Sequence, residues 1–154
     1  MIELNRINDS KNNIEHINEV IDLSLEAKKY LDSFEWCTMI VNGWLAKDYG
    51  YMLCIFYFEI VPTPGTGADK YVWIIVGDLP PCYIDIESAQ NKLEALETYI
   101  FLMDEWSHNV LNDKSVDDCF PINVEPTKKY AEMLLSRTEI IKSDFIPELK
   151  SQTP

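Results

Sequence analysis

The apolar positions of this chain fall into helical spacing at both ends and into unbroken runs in the middle. Over residues 12–31, Ile14, Ile17, Val20, Ile21 and Leu25 lie on one side of a 3.6-residue wheel, while Glu15, Glu19, Asp22 and Glu26 lie on the other. That predicts an amphipathic helix. Asp32-Ser33-Phe34-Glu35 has the form of a capping box, an acceptor followed by a carboxylate. A second helix is therefore expected from Ser33, with Trp36, Ile40 and Trp44 turned inward, Gly43 as its weak point and Asp48-Tyr49-Gly50 as its end.

The middle of the chain reads differently. Tyr51–Phe58 and Tyr71–Val76 are aromatic and apolar at successive positions, the pattern of strands covered on both faces. The turn-rich segment Pro62–Lys70 between them is too short for a parallel crossover, so the pair is expected to be antiparallel. Leu79-Pro80-Pro81 is expected to stop the second strand, because proline donates nothing to a ladder, and Tyr83–Ile86 makes a short third strand.

Helical spacing then returns. Over residues 91–111, Leu93, Ala95, Leu96, Tyr99, Ile100, Leu102, Met103, Trp106 and Val110 form one arc, and Glu94, Glu97, Asp104, Glu105 and His108 form the opposite one. A last helix over 127–142 is expected to bury Tyr130, Met133, Leu134, Ile140 and Ile141, and Pro147 to allow little helix beyond it. The order gives an α+β fold, in which N- and C-terminal helices pack a small antiparallel sheet of two or three strands. The length suggests a single domain over residues 1–154.

Charge changes the picture of function more than of fold. With 26 acidic and 13 basic residues the net charge is −13. Such a surface repels phosphate backbones and anionic headgroups, so no nucleic acid and no membrane is expected as a partner. No apolar stretch approaches the roughly 20 residues of a spanning helix. Residues 1–30 show no secretory pattern, which gives the sequon Asn8-Asp9-Ser10 little weight. Cys37, Cys54, Cys82 and Cys119 follow no zinc or disulfide spacing and read as reduced thiols of a cytoplasmic protein. The acid is concentrated. Residues 78–118 hold ten carboxylates against Lys92 and Lys114, so that stretch carries 2 − 10 = −8.

Candidate chemistry is sparse, and no cofactor is implied. Gly65-Thr66-Gly67-Ala68-Asp69-Lys70 joins two strands and lacks the Walker pattern and its helix, so it reads as a hairpin loop. Cys82, His108 and Asp104 are of the right types for a cysteine hydrolase, the thiol following two prolines at a strand end. Glu97, Asp104 and His108 share a helix side and are types that hold divalent cations, but without a recognised spacing. Arg137 falls inside an apolar arc, where its stem can pack while its guanidinium meets a carboxylate. Asp78, held between Gly77 and Pro80, is the candidate partner. Phe101 is the converse case. It stands in the polar arc between Glu94 and Glu97 on one side and Asp104, Glu105 and His108 on the other, the arrangement of an interface anchor with a charged rim.

The segment from Trp73 through Gly77-Asp78-Leu79-Pro80-Pro81-Cys82-Tyr83 resembles an uncharacterised bacterial domain family with a strand ending in Val-Gly-Asp-Leu-Pro-Pro-Ala-Tyr. A following Ala95-Leu96-Glu97-Thr98-Tyr99, then Trp106, Ala131 and Arg137, extend the resemblance from about Trp44 onward. Trp73, Gly77, Asp78, Pro80, Pro81 and Arg137 are expected to be structural; the resemblance itself implies no activity, and Cys82 departs from the family's alanine. In size and acidity the chain is similar to immunity proteins that neutralise bacterial toxins. A non-catalytic binder of a basic protein through the acidic face of the 91–111 helix is therefore the leading expectation. An accessory domain whose acidity serves solubility follows, then a cysteine or carboxylate hydrolase.

Overall fold

A computed structural model describes residues 1–9 and 14–152. Asn12, at the expected start of the first helix, and Ser10 of the sequon lie outside the described residues. In chain order the elements are β1 (Ile2–Glu3), α1 (Ile17–Asp32), β2 (Cys37–Asp48), β3 (Leu53–Pro62), β4 (Tyr71–Gly77), β5 (Leu79–Asp85), α2 (Lys92–Leu111), α3 (Lys128–Ile140) and α4 (Ile146–Gln152). The α+β class is as expected, but the sheet is larger. Five antiparallel strands run in the order β1-β2-β3-β4-β5, each beside its neighbour in sequence.

One of the added strands, β2, replaces an expected helix: residues 37–48 form a strand instead. Ser33 closes α1 instead of opening a new helix: its amide and its hydroxyl both bond the Tyr30 carbonyl. Thr38, Ile40 and Val41 are β-branched and favour extended backbone. The spacing Trp36, Ile40, Trp44 is misleading because steps of four satisfy a period of 2 as well as one of 3.6. A register shift between Ile40 and Asn42 then separates the last two. Ile40 pairs with Ile60 and packs on the α1 side, while Trp44 pairs with Tyr57 on the other face. Gly43, opposite Phe58, is there for close approach. A Cβ would lie 2.6 Å from Leu4 Cδ1 and 2.7 Å from a Phe58 ring carbon.

Pro80 and Pro81 do not stop a strand; both lie within β5. They are tolerated because β5 is a sheet edge, with one side of its backbone free of ladder bonds. Likewise Pro147 sits inside α4. The chain widens to a π-turn over Ile141–Phe145, where the Ile146 amide reaches back to the Ile141 carbonyl, just ahead of the residue that has no amide to give. Of the residues expected inside, Leu134 and Ile141 are buried, Tyr130 and Met133 are half-buried, and Ile140 is exposed.

The described chain divides into two compact units, Met1–Lys92 and Leu93–Pro154. In the first, α1 lays Val20, Leu23, Ala27 and Leu31 on the sheet face made by Phe56, Phe58, Ile60, Val72, Ile74 and Val76. Burying each of these side chains larger than alanine contributes on the order of 1.5–3 kcal/mol. β3 and β4 are buried on both faces, as their unbroken apolar runs imply. Trp73 is buried with its indole N–H donating to the Ala89 carbonyl at 2.9 Å. Gly77 makes the tightest approach in this unit: a Cβ there would stand 2.3 Å from the Met52 carbonyl oxygen. Beside it, the Asp78 amide donates to the Tyr51 carbonyl at 2.9 Å, so the β4–β5 turn is fastened to the β2–β3 turn.

In the second unit, Trp106 of α2 meets Tyr130 of α3 edge-on, with ring centroids 6.0 Å apart. Thr127 caps α3, accepting from the Tyr130 amide at 3.2 Å.

Candidate functional site

The outer face of α2 carries the residues that the sequence places around Phe101. The ring of Phe101 is 62% exposed. Glu97 and His108 are also exposed, and Glu94 and Glu105 are half-buried. Asp104 differs. Its Oδ1 accepts from the fully buried Thr138 hydroxyl at 2.6 Å, and its Oδ2 holds the Lys142 ammonium at 2.6 Å. That carboxylate is a structural clamp between α2 and the last helical segment. The hydrogen bond holds the Lys142 ammonium charged above the usual lysine range. Nearby, the Asn109 amide donates to the Ser115 carbonyl at 2.9 Å and to Cys119 Sγ at 3.4 Å, fixing the chain that leaves α2. Burial, and after it the carboxylate of Glu105, pushes the Cys119 thiol up.

The cysteine-hydrolase and metal readings lose their geometry. Cys82 is buried, and loss of solvation pushes its thiol far above the ordinary range, away from the thiolate a nucleophile needs. Asp104 is occupied by Thr138 and Lys142 instead of orienting His108. Among the described residues, no three His, Cys, Asp or Glu side chains converge to hold a metal ion, which removes Glu97, Asp104 and His108 as a cation site. All four cysteines are free and buried. No helix among the described residues is long and apolar enough to cross a membrane.

Of the residues expected to be structural, Trp73, Gly77, Asp78, Pro80 and Pro81 belong to the first unit. Pro80 is buried and Asp78 exposed at the β4–β5 turn. Arg137 is half-buried on α3 in the second unit.

The first unit also contains a concavity that sequence reasoning missed. A cleft of about 570 Å³ lies between the 35–36 corner, the β3–β4 connection and the far end of β5. Its aromatic walls are Trp36, Tyr71 and Tyr83, and its carboxylates are Glu35, Asp69, Asp85 and Glu87. The walls are braced from behind. Trp36 stacks on Phe34 at 5.0 Å and meets Tyr83 edge-on at 5.2 Å, and Tyr71 stacks on Tyr57 at 5.4 Å. Two hydrogen bonds tie the loop to the corner: the Thr63 amide donates to the Trp36 carbonyl at 2.9 Å, and its hydroxyl to the Glu35 carbonyl at 2.6 Å. The glycine-rich loop thus frames an acidic cleft, the opposite of a phosphate cradle. Three of the four carboxylates stand far apart in sequence, and only Asp85 and Glu87 are close together, so no spacing rule announces the group.

A second, shallower hollow beside α1 is lined by Asp22, Glu26, Tyr51 and Asp78, and there the Tyr51 hydroxyl donates to Asp22. No family profile, curated protein or solved structure matches the chain.

Proposed function

We propose that the protein is a non-catalytic binder of a basic protein, of the immunity or inhibitor type, and that it engages its partner through the outer face of α2. The observation that carries this reading is the exposed ring of Phe101 among carboxylates. An apolar ring held in water gains nothing for the isolated chain. Against a partner it supplies buried area at the centre, while a charged rim steers the approach. The net −8 of residues 78–118 supports the same reading, since concentrated charge speeds encounter with a basic surface. The contact set in this proposal is Glu94, Glu97, Phe101, Glu105 and His108, with Asp104 set behind it as support. The resemblance to an uncharacterised bacterial family adds size and acidity in common with immunity proteins, and no activity.

The test begins with recovery of a basic protein from the native host and proceeds to the affinity of the purified pair. Phe101→Ala should weaken binding by about tenfold or more, and added salt should weaken it further. Equal affinity for wild type and Phe101→Ala would overturn the assignment of this face.

A further inference from the structure

We propose that the cleft of the first unit binds an aliphatic polyamine, a flexible chain of methylenes carrying several ammonium groups. This does not rest on the α2 reading; the two sites lie in different units. Volume is the first argument. About 570 Å³ is the size of a small-molecule site and far more than a metal ion needs. Wall chemistry is the second. Trp36 and Tyr83 add ring faces, which attract ammonium groups, and with Tyr71, whose ring is already met by Tyr57 and the Lys70 ammonium, they give the methylenes between those groups apolar surface to pack on.

Unspent charge is the third argument. Among the described residues, the side chains of Glu35, Asp69 and Glu87 form neither hydrogen bond nor ion pair. Asp85 is engaged only by the Ser88 amide, at 2.7 Å. Among the described residues, no basic side chain lines the cleft. The adjacent Lys70 is already paired, its ammonium 3.0 Å from Glu59 and over the Tyr71 ring. An anion would be repelled, and a compact hydrated cation would leave the rings unused. A chain with ammonium groups spaced along it satisfies both wall types at once. Because the loop and the corner are tied by Thr63, the site is formed before the ligand arrives, which lowers the cost of binding.

The experiment is titration of the full chain with spermidine, followed by calorimetry and by amide NMR. Saturable one-to-one binding is expected, with shifts confined to residues 35–36, 66–72 and 83–87. The double variant Asp69→Asn, Glu87→Gln, at two exposed positions, should weaken it by about tenfold or more. Phe101→Ala should leave it unchanged, which separates failure of this site from failure of the α2 face. Shifts spread equally over α2 and the cleft would mean diffuse attraction to an acidic protein, and would overturn the proposal. So would tighter binding of an N-acetylated trilysine peptide than of spermidine, since that would assign the cleft to a protein side chain.

Discussion

Asp104 lies in the middle of the acidic face of α2, yet its geometry assigns it to stability. Its carboxylate accepts from Thr138 at 2.6 Å and from Lys142 at 2.6 Å, and its side chain is 17% exposed. The two contacts differ in worth. A hydrogen bond to a charged group contributes roughly 1.5–3 kcal/mol when buried. Asp104 is only partly desolvated, so about 1–2 kcal/mol is the working figure for Thr138. The Lys142 side chain is 41% exposed, and a pair at that depth is worth less than about 1 kcal/mol. Replacing Asp104 by alanine leaves no orphan, because the Thr138 hydroxyl keeps the Leu135 carbonyl at 3.0 Å as an acceptor. Asp104→Ala should therefore cost about 1.5–2.5 kcal/mol, Thr138→Val about 1–2, and Lys142→Met under about 1. For a chain of this length, a loss of that size lowers Tm by about 3–10 °C for Asp104→Ala. The assay is urea and thermal unfolding of the three single variants and the Asp104/Thr138 double variant. The double-mutant cycle should return about 1 kcal/mol of coupling. Zero coupling, or an Asp104→Ala protein melting with wild type, would refute the clamp and return Asp104 to the binding surface.

Other outcomes follow from the same geometry. Gly77→Ala should cost more than about 2 kcal/mol, because a Cβ 2.3 Å from the Met52 carbonyl must push apart the two turns that Asp78 joins; an unchanged urea midpoint would contradict this. His16 Nδ1 lies 2.9 Å from Asp48 Oδ1, and that hydrogen bond raises the imidazole above its ordinary 6.5. Because the folded-state value is the higher one, the stabilisation is complete below about pH 6.5 and fades as pH rises through the raised value. His16→Gln should erase that slope, measured as Tm against pH, and persistence of the slope in the variant would point to another group. The buried thiols should resist labelling in the folded protein at pH 8 and react on unfolding. Burial lifts Cys54 to about 12 and Cys82 higher still, so rapid native-state modification of Cys82 would show that its surroundings open.

Local pattern alone determined the parts of this fold in which one period dominates. The helices α1 and α2, the buried runs of β3 and β4 and their antiparallel pairing are readable because apolar spacing fixes which backbone can bury those side chains. The exposed position of Phe101 is readable for the same reason. Elsewhere the sequence was compatible with two structures and the tertiary partners chose. Residues 37–48 suit a helix by spacing, yet the edge of β3 offers ladder bonds along ten residues, and α1 has already taken Ser33 as its end. Prolines that forbid a central strand were allowed in β5 because it lies at the edge, and Pro147 was absorbed by a π-turn. The two candidate sites show the same division. The α2 face is one helix side and follows from arithmetic on a wheel. The clamp on Asp104 needs a threonine 34 residues away, and the cleft gathers Glu35, Asp69 and Glu87 from three separate segments. Helix and strand periods report which side of its own element a residue occupies. Which distant residue it meets is decided by how the elements pack, and that information exists only once they have done so.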